Sequence, residues 1–192
     1  NGVNEHLVMH AASTMKVPVL LELYRRAAAG ELRLDDEIVV FNRFRSIADT
    51  SHYSLTKEDD SEHTLYDRVG ARITLRELGR LMTVRSSNLA TNILLEVLGA
   101  DDIQRTTERV GGYGMNVLRG VEDIPAFNAG MNNTTTSRAY ANVLAARFRV
   151  SKQRNPVRTV DLLNPRLSRG RPPRRDHRIV GVYDLTFRRG DL

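Results

Sequence analysis

Ala11-Ala12-Ser13-Thr14-Met15-Lys16 places a hydroxyl and an amine three residues apart, at the opening of the first run with helical periodicity. At that spacing two side chains share one helix face, so the Lys16 amine is expected to reach the Ser13 hydroxyl. A serine at neutral pH is a weak nucleophile, and an amine assists it only after losing its proton, which burial among apolar side chains promotes. Unpaired N–H groups at a helix start also favour negative charge developing on a bound carbonyl oxygen.

With 192 residues, 41% of them hydrophobic, the chain is long enough for one domain with its own core. No apolar run approaches the roughly 20 residues of a membrane span, and the first residues lack the basic, apolar and small-residue order of a signal peptide. The chain begins with Asn1, which fits a processed chain or a fragment. It has no cysteine, which removes disulfides and thiol chemistry and is compatible with either side of a membrane. The net charge of +6 suggests nucleic acid until it is located. Residues 1–146 hold 16 basic and 19 acidic side chains, whereas 147–192 hold 13 basic and 4 acidic. The excess is confined to a tail with no interleaved aromatics and no reader motif, so nucleic acid is not an expected partner.

Leu7-Val8-Met9 reads as a strand end leading into the first helix. Met15, Val19, Leu20 and Leu23 recur at helical spacing, Pro18 falls near the first turn where it is tolerated, and Gly30 suits the position after the C-cap. From Leu32 to about Arg72 long helices are absent, Ile38 to Phe41 suits a short strand, and Asp49 to Asp67 reads as a polar surface excursion. His52 and His63 lack ligand-like partners and read as solvated loop residues, and Tyr53 reads as a loop tyrosine, with the lining of a cleft as the alternative. Thr74 and Glu77 form a capping box ahead of a helix with Leu75, Leu78, Leu81 and Met82 on one face. Ser86-Ser87-Asn88 then starts another helix, which Gly99 stops.

Three stretches in order, Ala12 to Lys16, Leu81 to Asn92 and Asn133-Thr134-Thr135-Thr136, resemble successive landmarks of class A β-lactamases and related penicillin-recognising serine hydrolases. The resemblance implies an α/β fold of the β-lactamase and transpeptidase-like kind, a helical region packed on an antiparallel sheet. It implies that Ser13 is the acylated nucleophile and Lys16 its general base or proton relay. Ser86 would pass a proton to the leaving nitrogen, and Asn88 would orient the substrate amide and contact Lys16. Ser87 stands where the family has aspartate.

Two departures from the family pattern stand out. The family's loop before the threonines carries a glutamate that activates the deacylating water, with an asparagine four residues later; here Ala126 follows Glu122 at that spacing. Either Glu122 or Asp123 serves as the base, or these are acidic loop residues pairing with Arg119. The family's lysine-threonine-glycine strand is also absent, and Arg189 of Arg188-Arg189-Gly190 is the candidate for the cation that would bind the substrate carboxylate, although arginine is not a simple replacement for lysine. The expected organisation is a partial serine hydrolase domain over 1–146, incomplete at both ends, and an atypical Arg/Pro-rich segment over 147–192. A shifted reading frame and a disordered extension would each produce such a segment. The expected activity is β-lactam hydrolysis through an acyl-enzyme on Ser13, by a periplasmic or secreted monomer that needs no metal or organic cofactor. A relative that acylates but deacylates poorly, acting on a peptidoglycan-like substrate, and an inactive remnant are the alternatives.

Overall fold

Helix α1 (Lys16–Ala28) runs through the centre of the computed structural model, which describes residues 2–150. Its core face is Val19 and Leu23, both fully buried. It ends as its sequence predicts. Gly30 takes φ 73°, the Gly30 N–H donates to Ala27 and the Glu31 N–H to Arg26, closing a Schellman motif. Helix α2 (Leu75–Val84) begins at Thr74, whose hydroxyl accepts from the Glu77 N–H at 3.2 Å. Helix α3 (Asn88–Leu98) begins at Ser87, whose hydroxyl accepts from the Ala90 N–H at 3.1 Å, and stops at Gly99 with φ 78°. Leu78, Met82, Leu89, Ile93 and Leu94 join Leu23 in the core between these helices. Burying each such side chain contributes roughly 1.5–3 kcal/mol, so this interface carries much of the stability.

Helix α4 (Ala100–Arg109) follows directly on Gly99 and packs against α1. Its buried residues are Ile103, Thr106 and Thr107, so its buried face carries a single large apolar side chain. A buried carboxylate fastens it. Glu22 is fully buried and accepts from Arg25, Arg26 and the Thr106 hydroxyl, the last at 2.6 Å. Burial alone would favour its neutral acid, but these donors outweigh burial and hold its carboxyl below the usual range. Helix α5 (Ile124–Asn128) is a short turn, and α6 (Ser137–Val150) packs back on α1, with Ala139 and Val143 closing a second small core around Met115.

The strands of the described residues form three two-stranded antiparallel ladders. β2 (Glu37–Val39) pairs with β5 (Arg72–Thr74), and β3 (Phe44–Arg45) with β4 (His52–Tyr53). The third matters most for function: β1 (Met9–His10) pairs with β6 (Thr134–Thr135), which brings the threonine run beside the segment leading to Ser13. His52 and His63 are exposed, as expected of loop histidines. The stretch from Asp49 to Asp67 is not a mere surface excursion, however. Leu55 and Leu65 enter the core, and Asp60 and Glu62 are buried, because backbone and hydroxyl donors surround their carboxylates. No helix among the described residues is long and apolar enough to cross a membrane.

Candidate active site

Ser13 lies in a 3-10 turn (Ala12–Met15) that runs straight into α1. Such a turn completes itself in three residues, so Ser13 and Lys16 fall on one side of the chain. Ser13 is exposed, whereas Lys16 is 5% exposed at the floor of the same cleft. Ala12 takes φ 46°, a left-handed conformation that non-glycine residues seldom adopt. Ser86 (φ 57°) and Glu122 (φ 64°) do the same; Ala12 and Glu122 line the cleft and Ser86 bonds to Ser13 and Lys16 within it, in keeping with the concentration of strained backbone at functional sites.

The positive φ at Ser86 turns its side chain back from the α2–α3 junction toward α1. Ser86 Oγ lies 3.3 Å from Ser13 Oγ and 3.0 Å from Lys16 Nζ. Lys16 also donates to the Ser86 carbonyl at 2.6 Å and to Asn88 Oδ1 at 2.9 Å. Three acceptors thus occupy the three protons of its ammonium form. Here the structure refines the sequence expectation: Lys16 is linked to Ser13 through Ser86 rather than by direct contact. Burial pushes the Lys16 amine below its ordinary range, and the Asp60 carboxylate acts against that shift. The result is an amine closer to its neutral, proton-accepting form than a surface lysine.

The opposite wall is the loop from Leu118 to Asn133. Asn133 is 3% exposed and staples it: its Oδ1 accepts from the Leu118 and Arg119 N–H groups, its Nδ2 donates to the Arg119 carbonyl, and its own carbonyl accepts from Ala11 at 2.9 Å. Asn92, one helical turn beyond Asn88 on α3, makes a two-way bond to the Val121 backbone at 2.7 and 2.9 Å. Helix α3 therefore presents one asparagine to Lys16 and the next to this loop. Glu122 is exposed and lines the cleft with Ser13, Lys16 and Asn88. Asp123 is fully buried, caps α5 through Ala126 at 3.1 Å and accepts from Ile47 at 3.1 Å, so its oxygens are committed to structure. Arg119 is 7% exposed, lies 5.5 Å from the Phe127 ring centroid and donates to the Gly120 carbonyl; among the described residues it forms no ion pair with Glu122. Of the two acidic residues considered as a base, Glu122 alone faces the cleft.

Gly120 lies where no side chain fits. A Cβ there would overlap the Tyr53 hydroxyl and stand 3.1 Å from both polar atoms of the Asn92 amide. Tyr53 packs on Phe44, so it is a wall of the loop seat rather than a free loop residue. Gly120→Ala is expected to dislodge the Asn92–Val121 clamp at a cost of about 1–3 kcal/mol, read as a lower unfolding midpoint in a urea melt.

The structure thus brings Ser13, Lys16, Ser86, Asn88 and Glu122 to one cleft of about 370 Å³. Arg189 lies outside the described residues. Sequence reasoning did not pick out Asp60, Asn92 or Gly120. Only Asn92 carried a usable signal, a second asparagine four residues after Asn88 on an otherwise apolar helix.

No match is found among curated proteins. A β-lactamase from Sphaerobacter thermophilus DSM 20745 shares the fold with TM-score 0.61 at 27% identity, over 77% of this chain and 51% of that one. A β-lactamase from Xanthomonas campestris pv. campestris gives TM-score 0.61 at 22% identity, over 76% and 50%. A structure of PBP-A gives 0.55 at 22%, over 74% and 48%. The chain therefore spans about half the length of these solved structures. The profile of the β-lactamase enzyme family matches residues 1–173, which is most of the sequence, and the chain belongs to that family.

Proposed function

We propose that this chain is a class A-like serine hydrolase that opens β-lactams through an acyl-enzyme on Ser13. The observation that carries the proposal is the hydrogen-bond chain from Ser13 through Ser86 to the buried Lys16 amine. In acylation Ser13 Oγ bonds to the lactam carbonyl carbon while the C–N bond breaks. The serine proton passes toward the neutral Lys16 amine, and Ser86, within reach of both, delivers a proton to the departing nitrogen. Asn88 fixes Lys16 and orients the substrate amide. In deacylation water attacks the ester, Glu122 takes its proton and Ser13 regains its own. Arg189 is proposed for the substrate carboxylate on sequence grounds alone. Family membership supports a periplasmic or secreted location.

A second reading has its own support. Asn92 clamps the backbone of Val121, one residue before Glu122, and among the described residues no side-chain hydrogen bond holds the Glu122 carboxylate. A base that is not held in place deacylates slowly, and the chain would then accumulate its acyl-enzyme like a penicillin-binding relative. Nitrocefin separates the two readings. Steady turnover, lost in Ser13→Ala, supports the hydrolase; a single stoichiometric burst supports the acyl trap; a signal that survives Ser13→Ala contradicts both.

A further inference from the structure

Asp60 stands outside the reaction as proposed, yet donors from three parts of the chain converge on it. It is 4% exposed. Its Oδ1 accepts from the Asn88 N–H and the Glu62 N–H, each at 3.0 Å. Its Oδ2 accepts from the Leu89 N–H at 2.9 Å, the Tyr66 hydroxyl at 3.0 Å and the Ser87 hydroxyl at 3.3 Å. The first N–H groups of a helix have no partner inside it and lie at its positive end. In α3 the Ser87 cap serves Ala90, while Asn88 and Leu89 are left to Asp60. The turn held in this way carries Ser86 and Asn88, the two residues bonded to Lys16.

We infer that Asp60 is a positioning residue: its carboxylate, reaching across 27 positions to Ser87, locks the Ser86-Ser87-Asn88 turn in register with Lys16 and serves as the counter-charge of that buried amine. The effect on acylation rests on the function proposed above; the effect on Lys16 does not. Burial lowers the Lys16 amine, and Asp60 is the charge that opposes it. Burial and Asp60 also raise the Tyr66 phenol, which keeps it a donor. The other charged groups around this point are Asp59 and Glu62 on the same stretch, Arg85 at the end of α2, paired with Glu62 at 3.2 Å, and Glu122 on the facing loop, which acts on Tyr66.

The chain has three lysines, Lys16, Lys57 and Lys152, so Lys16 can be followed alone. The full chain, labelled with 13Cε-lysine, is titrated by NMR, with Lys16→Met assigning the signal. Asp60→Asn is expected to lower the Lys16 midpoint by about one pH unit. It is also expected to slow acylation by penicillin about tenfold, measured at each variant's own pH optimum. Ser87→Asp added to Asp60→Asn returns a carboxylate to the same turn and is expected to recover both in part. An unmoved midpoint in folded Asp60→Asn overturns the inference, whether or not acylation falls. If Asp60→Asn does not fold, folding restored by Ser87→Asp supports it and folding not restored overturns it. A wild-type chain that takes no acyl group refutes the proposed function, while the lysine titration still decides the role of Asp60.

Discussion

Lys16→Met is expected to slow acylation of Ser13 by about 10²–10⁴-fold while the protein stays folded. Methionine keeps most of the length and apolar bulk of the lysine side chain and removes the amine. What is lost is the group that receives the serine proton, since Lys16 Nζ lies 3.0 Å from Ser86 Oγ and Ser86 Oγ lies 3.3 Å from Ser13 Oγ. Two acceptors, the Ser86 carbonyl and Asn88 Oδ1, also lose a donor. The cleft is open to water, so solvent replaces that donor in part. The pH dependence has a definite sign. The folded protein lowers the Lys16 amine mainly through burial, so the neutral, accepting form gains population at lower pH than it would on a free lysine. Acylation by the wild type therefore rises as pH climbs through that lowered value, and the rise disappears in Lys16→Met. Stopped-flow acylation across pH, with a circular-dichroism melt as the control for folding, measures both.

Glu122→Gln is expected to leave acylation nearly unchanged and to slow deacylation by about 10²–10⁴-fold. Glutamine keeps the shape of the side chain but does not take a proton from water. The neighbouring carboxylate does not substitute for it, because both Asp123 oxygens accept backbone N–H groups and its side chain is fully buried. The contrast between the two rates is the informative quantity, since a disturbed loop would lower both. Pre-steady-state burst amplitude against steady turnover of nitrocefin gives that contrast directly.

Much of the helical frame is legible in the sequence because its signals are local. The Thr74–Glu77 cap, the Ser87 start, the Gly99 stop and the Gly30 end each lie within a turn of the helix end they mark, and each is observed. Ser13 and Lys16 are legible for a related reason, their three-residue spacing at a helix start, whereas Ser86 and Asn88 take their expected roles from the family resemblance and not from periodicity. Helix α4 is not, because two of its three buried residues are threonines and it is tied down by Glu22 on α1, far away in sequence. Asp60 is unreadable for the same physical cause. Inside a run of Lys, Glu, Asp, Ser and His it looks solvated, and its partners at Asn88 and Leu89 become visible only when the chain has folded. Gly120 belongs to this class too, since what forbids a Cβ there is the side chain of Tyr53, brought to the loop from the β3–β4 ladder. The direct Ser13–Lys16 contact expected from spacing gives way to a relay because Ser86 supplies nearer acceptors than Ser13 does.

Whether Ser13 is an activated nucleophile is decided by the intact mass of the purified full chain, followed over time with excess penicillin. An activated Ser13 gives a gain of one penicillin mass that is absent in Ser13→Ala and that decays as Glu122 drives hydrolysis. Persistence of the adduct would select the acyl-trap reading and leave the nucleophile in place. Folded wild-type protein that shows neither adduct nor turnover, or an adduct that also forms on Ser13→Ala, would rule out Ser13 as the nucleophile.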